Sequence, residues 1–561
     1  MNIEQQIEEA GNVMRERIIS SQLKDLAEAS GFDSRGARLQ LATNGTNRLT
    51  ATLGGGKGAV KLFAQKTSFT NEELNELQVA IGASDNHMKI IGHYLRTKCG
   101  RQSVSGHREF MSERNHWFDD LFDWKMIPQK AYVTEETLDR NGNTKKKKSV
   151  IDVWKPIVFV TDVQELATQI MIKRDYDPDD VVCGLGIDDG GGFLKLMLMI
   201  KPKSIPDEEP VRKRRSYEEA FCTTGPARFK AGGQNKILIV SLIPTCERYD
   251  NLAPILDLMG IGTLDFGLCA DLKLQLIMVG KQNASSKHSC PYCNDASPWL
   301  DDNRQSLTIG QLYADYAKFR ALVEELGEEK AMKKAKDCNN VIHRPLIEGP
   351  YDQKILGDSI MFPELHVFTG LVAKMEKEIE KNLFESEKAG HQFMDEFFSE
   401  CSISRAVYHG SSNFVGNQAK KLLRMVPQLE HRLMTTLVDP EKLELARKFI
   451  LALKQFSLVK EACFGQTLDP NYETLIREFT ETYRSLPISI PLKLHVLEVH
   501  AVEFLKDMGE EHGLGFYSEQ SFESMHNKIN ENWNKNPLKE DHPQFGPKMK
   551  DLVVNVNGKA V

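Results

Sequence analysis

Long apolar runs are missing from this 561-residue chain. No stretch of about 18 consecutive apolar residues occurs, so a membrane-spanning helix is not expected. The start, Met1-Asn2-Ile3-Glu4-Gln5-Gln6, has no basic segment followed by an apolar one, so the chain reads as intracellular and soluble rather than secreted. Cysteine is sparse, ten in all and mostly scattered singly, which excludes a disulfide framework. A large charge of one sign is also lacking: 72 Lys and Arg against 79 Asp and Glu give a net charge of −7. That balance argues against a polyanion-binding surface everywhere, yet leaves room for local basic stripes. The glycine run Gly54-Gly55-Gly56-Lys57-Gly58 lacks the spacing and terminal Lys-Ser/Thr pair of a phosphate loop, so it reads as a hairpin turn within the β-like stretch 48–63.

What is present is an ordinary globular composition, 41% apolar and 27% charged, and enough chain for roughly three to five domains. Two helical patterns run from Asn71 to Thr97, separated by Gly82-Ala83-Ser84, with Ser84 placed to cap the second. Lys89, Arg96, Lys98, Arg101, Arg108 and Arg114 make the following segment basic. This is either a helix-turn-helix suited to a DNA backbone or a helical hairpin with a solvated face. Residues 141–149, with Lys145 to Lys148, read as a hairpin tip or linker; this run and Arg212 to Arg215 suit a nuclear-localisation patch, a phosphate contact or a plain solvated loop.

The periodicity then changes. Val181 to Ile187 and Phe193 to Ile200 form a hairpin of buried strands around Asp188-Asp189-Gly190-Gly191-Gly192. Lys236 to Ile243 supplies a third strand and Leu264 to Ala270 a fourth that ends at Asp271. From about 305 to 485 the chain is nearly all helical, with amphipathic segments at 310–326, 371–398 and 440–462. Aspartates at neighbouring strand ends suit a hard divalent cation, and equally suit turns and helix caps. Near the end of the chain, Ser518 opens a helix with Phe522, Met525, Ile529 and Trp533 on one stripe and Glu519, Glu523, His526 and Asn530 on another.

One cysteine pair breaks the scattered pattern: Cys290-Pro-Tyr-Cys293 has the knuckle spacing of a zinc site. Two further ligands must come from elsewhere. His495 and His500 offer two imidazoles, with His288 as a rival and two metal-free thiols as the plain alternative.

The order of these motifs resembles the Transib transposases and, equally, the catalytic core of the recombination-activating subunit of the V(D)J recombinase. It runs from an Asp in a Gly-rich hairpin to Asp271, then Cys-x-x-Cys nineteen residues later, a long helical insertion, His495-x-x-x-x-His500, and Ser-Glu…Glu-Ser…Asn-Lys. Pro363 to Gly370 resembles a Leu-His…Gly segment of that insertion, and the likeness covers about residues 150–550. It implies an α/β, RNase H-like mixed-sheet core interrupted by a large all-α insertion. It implies catalytic, Mg²⁺- or Mn²⁺-binding acids Asp188, Asp271 and Glu523, with Asp189 and Glu519 as alternatives, and zinc ligands Cys290, Cys293, His495 and His500. The expected organisation is a mixed N-terminal segment, 1–70; a helical DNA-binding and dimerisation region, 71–150; the first part of the core, 151–289; the zinc-linked insertion, 290–500; and a catalytic C-terminal helix and tail, 501–561. The expected partner is double-stranded DNA, the expected assembly a homodimer and the expected compartment the nucleus. The activity implied is nicking, hairpin formation and strand transfer at inverted repeats. Competing expectations are a domesticated zinc-stabilised DNA-binding protein and a nuclease that does not join strands.

Overall fold

A computed structural model describes residues 39–44, 48–53, 60–61, 70–71, 74–75, 78, 85–99, 104–105, 107–138, 144–174, 176–203, 237–261, 266–299, 304–408, 411–518, 520–535 and 537–558. The glycine run 54–58, the Ser84 cap, the basic run 212–215 and Glu519 lie outside them. The architecture is mixed α/β. Its centre is a six-stranded mixed sheet built from β1 (Phe122–Leu138), β2 (Thr144–Val160), β3 (Val181–Gly190), β4 (Phe193–Pro202), β5 (Ile237–Ile243) and β6 (Gly267–Cys269), in the order β1-β2-β5-β4-β3-β6. All neighbours are antiparallel except β3 and β6, which run parallel.

The central strands are continuous apolar runs because both of their faces are covered. In β4 every residue from Phe193 to Lys201 is buried, and in β5 all seven are. The β3–β4 turn needs its glycines: Gly191 and Gly192 hold φ of +64° and +82°, a region that a side chain disfavours. A register shift between Leu196 and Met197 interrupts the β4–β5 ladder, and the Asn557 side chain bonds the backbone of Ile239 in β5. Its amide accepts from Ile239 N–H and donates to Ile239 C=O, each at 2.8 Å, which fastens α15 (Phe545–Asn557) to the sheet centre.

Before the sheet come α1 (Asp85–Cys99) and α2 (His107–Asp119), packed through Met88, Ile91, Leu95 and Phe110. Helix does not continue to residue 150. From Phe122 the chain forms the long β1–β2 ribbon, because stretches such as Phe122-Asp123-Trp124-Lys125-Met126 alternate apolar with charged residues and so carry a period of two. Lys145 to Lys148 therefore lie in the returning strand. Only Val158 and Phe159 of β2 pair with β5.

After α3 (Val163–Lys173), α4 (Tyr249–Met259) and α5 (Leu272–Met278), helices dominate: α6 (Ile309–Leu326), α7 (Glu364–Asn382), α8 (Glu387–Glu400), α9 (Gly416–Arg424), α10 (Val426–Thr436), α11 (Pro440–Cys463) and α12 (Tyr472–Arg484). Side-chain caps from Thr308, Ser386 and Asp439 fix where α6, α8 and α11 begin. The Ser386 cap splits the apolar pattern at 371–398 into two helices, and a small β-hairpin, Ala406–Tyr408 with Ser411–Asn413, interrupts the helical stretch. The chain closes with α13 (Leu492–His495, Val496–His500 and Ala501–Asp507), α14 (Gln520–Asn534) and α15. Among the described residues no helix is long and apolar enough to cross a membrane.

Candidate metal centre and carboxylate cluster

Cys290 and Cys293 lie in the turn that follows α5, both essentially without solvent contact, and α13 crosses directly above them. The middle of α13 is a π-helical turn, Val496–His500. His500 Nε2 stands 3.3 Å from Cys290 Sγ and His495 Nε2 stands 3.3 Å from Cys293 Sγ. All four donor atoms fall within 4.8 Å of one another. A tetrahedral zinc ion with its usual bond lengths separates sulfur from nitrogen by about 3.5 Å, so the donor set is already at ligand spacing. The cluster could hold a metal ion such as zinc. His288 is not part of it: its Nδ1 lies 2.9 Å from the Asn294 carbonyl oxygen.

The surroundings orient each donor. The Glu503 carboxylate accepts from His500 Nδ1 at 2.7 Å, which leaves Nε2 with its lone pair directed at the sulfurs. Buried Asp295 stands 3.9 Å from His495 Nδ1, and Trp299 stacks on the His495 ring at 5.7 Å. The two thiols differ. For Cys290, burial opposes ionisation, but the Cys293 thiol, the Lys281 ammonium and backbone N–H groups outweigh it and bring its pKa below the usual value. Cys293, hydrogen-bonded to Cys290 and itself buried, is pushed up to about 11. One thiolate is thus favoured even without a metal, as expected when two such groups share a site.

Carboxylates gather at the C-terminal end of β3. In the parallel ladder Gly184 faces Gly267 and Gly186 faces Cys269, so the same register carries Asp188 toward Asp271. Asp271 caps α5, its Oδ1 accepting from Leu274 N–H at 2.7 Å. A carboxylate has lone pairs to spare beyond one cap bond. Asp188 is half-buried, and its cross-strand partner is Lys195, fully enclosed and donating to Phe193 C=O at 3.0 Å and to Gly190 C=O. Asp189 is exposed, and its Oδ2 lies 3.4 Å from the Glu247 N–H.

The third expected acid, Glu523, belongs to α14. That helix lies against the sheet through Phe522, Met525, Ile529 and Trp533, all buried, and Trp533 meets Phe193 edge-on at 5.2 Å. Its approach depends on glycine: a β-carbon at Gly186 would stand 2.6 Å from the Phe522 ring, and one at Gly191 would collide with Asn530.

Glu247 was not foreseen. Its side chain is 8% exposed and pairs with Lys273 Nζ at 2.6 Å. Burial first, then the Asp271 carboxylate, and more weakly Asp189, push its pKa up to about 7 against the pull of Lys273. Its sequence signal was available: it follows β5 as Asp271 follows β6, an acid just past a buried strand. Lys281, Asp295 and Glu503 carry no local pattern that would have flagged them.

No protein-family model matches the chain, and no curated protein matches it.

Proposed function

We propose that this chain is a DDE-type transposase or recombinase: a metal-dependent enzyme with an RNase H-like core that nicks DNA, forms a hairpin on the flanking end and transfers the excised strand. The observation that carries the reading is the sheet. Three antiparallel strands, β5-β4-β3, continue into a parallel β6, with Asp188 on β3 and Asp271 just past β6. The α14 helix that contains Glu523 packs on the Gly186 side of β3, the face that Asp188 shares by strand alternation.

Asp188, Asp271 and Glu523 are the residues that would hold Mg²⁺ or Mn²⁺, with Asp189 the alternative to Asp188 and Glu519 to Glu523. When bound, a pair of such ions supplies activation of a water or a 3′-hydroxyl and stabilisation of the leaving oxygen. The chain's own part is positional. The glycine hairpin fixes Asp188, the α5 cap fixes Asp271, and the Phe522 contact fixes the helix of Glu523. The residues between Cys290 and His495 act as a largely helical insertion into the core. Cys290, Cys293, His495 and His500 close that insertion with a structural zinc, since four buried protein donors leave no open coordination position.

Double-stranded DNA is the partner, held by the basic residues of α1 and α2, and a nuclear homodimer is the working form. The test uses a DNA carrying paired inverted repeats. Wild-type protein cuts it only with Mg²⁺ or Mn²⁺, and Asp271→Ala and Glu523→Gln do not; equal cutting by the variants would sink the site.

A second reading is a zinc-stabilised DNA-binding protein without catalysis. It is favoured by the Lys273 ammonium, which already supplies positive charge beside Glu247 and Asp271. DNA binding that needs zinc but is indifferent to magnesium, with no cleavage, would select it.

A further inference from the structure

Lys281 follows α5 by three residues and its side chain is buried, with the ammonium at the back of the cysteine knuckle. Nζ donates to Cys290 C=O at 2.6 Å, to His288 C=O at 3.3 Å and to Cys293 C=O at 3.4 Å. These bonds use all three ammonium protons, and among the described residues no carboxylate lies within ion-pair distance of Lys281. An ammonium enclosed in this way is costly unless something negative compensates it. Three carbonyl dipoles compensate part. The other negative groups at hand are the two cysteine sulfurs, which stand on the far side of the same turn, and more weakly the Asp315 carboxylate.

The consequence for the knuckle is geometric. A Cys-x-x-Cys turn binds a metal only when both Sγ atoms reach the same ion, and the carbonyls at its ends are groups by which its backbone can be fixed in that conformation. Here they converge on a single cation. Lys281 is itself fixed: its backbone N–H donates to Leu276 C=O at 2.8 Å, and its strand-like bridge to Val341 ties it to the segment before α7. On the opposite side, Glu503 orients His500 and Asp295 stands beside His495. Each half of the donor set thus has its own support, acidic for the imidazoles and cationic for the thiols.

We propose that Lys281 is the positioning residue of the metal centre: its ammonium gathers the Cys290, Cys293 and His288 carbonyls and so holds the knuckle with both sulfurs aimed at His495 and His500. This rests on the reading that the Cys290–Cys293–His495–His500 cluster binds a metal. Lys281 touches no metal; it acts through the backbone of the two cysteines.

The test is a cobalt titration of the full chain after removal of bound metal. Wild-type protein should show the intense visible bands of tetrahedral Co²⁺ together with thiolate-to-cobalt charge transfer. Lys281→Met should bind Co²⁺ about tenfold to a hundredfold more weakly, the usual range for losing an outer-shell support. Its charge-transfer intensity per bound ion should also fall, because one sulfur is no longer held in place. Lys281→Arg, which keeps the charge and the donors, should recover most of both. If Lys281→Met does not fold, the same measurement on Lys281→Gln, which keeps two N–H donors without charge, should give an intermediate affinity and reduced charge transfer. Wild-type affinity and an unchanged spectrum in the Met or Gln variant overturn the proposal. Absence of thiolate bands in the wild type overturns the metal reading itself, and with it this role of Lys281.

Discussion

The rings of His495 and His500 are 5.0 Å apart and nearly perpendicular, although the two residues are five positions apart on one helix. On a regular α-helix that spacing rotates two side chains about 140° from each other, onto different faces. The π-helical turn at Val496–His500 widens the helix so that the fifth residue comes back over the first. Both imidazoles then face the cysteine knuckle, and the turn is the local distortion that makes the centre possible.

Zinc should therefore copurify at one ion per chain, measurable by elemental analysis, and Cys293→Ser or His500→Ala should lose it. Because the ion binds the folded chain and not the unfolded one, chelation should lower thermal stability. Metal held at about a hundred times its Kd contributes about 2.7 kcal/mol, the loss to look for in melting curves with and without chelator.

The doubled aspartate can be resolved by paired substitutions. Asp188→Asn should reduce DNA cleavage by about 100-fold or more, the scale of losing a principal electrostatic element of a phosphoryl-transfer site. Asp189→Asn, on the exposed side, should retain activity within about tenfold. The reverse ranking in a single-turnover nicking assay would move the first acid to Asp189.

Gly186→Ala should weaken both stability and activity. The added methyl meets the Phe522 ring at 2.6 Å, so the ring and its helix must shift. Overpacking of this kind costs about 1–3 kcal/mol, and displacing α14 also displaces Glu523. Denaturant unfolding gives the first effect and cleavage rate the second; a variant with wild-type values in both would show that α14 does not depend on this contact.

A pH-dependent liability lies in the helical region. Glu376 is pushed up to about 8, first by burial and then by Glu380, against the pull of Arg405, which both carboxylates share. A carboxyl whose folded pKa lies above its unfolded value of 4.5 holds more protons folded than unfolded between the two. Stability from this group is thus full below about pH 4.5 and declines as pH rises to about 8. Glu376→Gln should flatten that decline, with the variant gaining on the wild type toward pH 8 in urea titrations. A parallel pH profile for the two proteins would refute the assignment.

Much of this was legible in the sequence because it is local. Alternation and continuous apolar runs marked β3, β4 and β5, and the stripe of Phe522, Met525, Ile529 and Trp533 marked the buried face of α14. The spacing of Cys290 and Cys293 marked half of a metal centre. The β1–β2 ribbon was obscured by the helical segment before it and by the lysine run within it, whose charge suggested a loop. Glu247, four residues past β5, carried only the weak signal of an acid following a buried strand.

By itself, then, the sequence determined which residue types were available and, where a period of two or 3.6 residues was clear, which segments would be strand or helix. Tertiary structure decided which of them meet. The parallel register of β3 with β6 sets Asp188 toward Asp271, and the π-turn in α13 turns His495 and His500 onto Cys293 and Cys290 across some 200 residues of chain. Both outcomes depend on pairing between segments distant in sequence, where the free energy comes from burial and complementary geometry that no local pattern encodes.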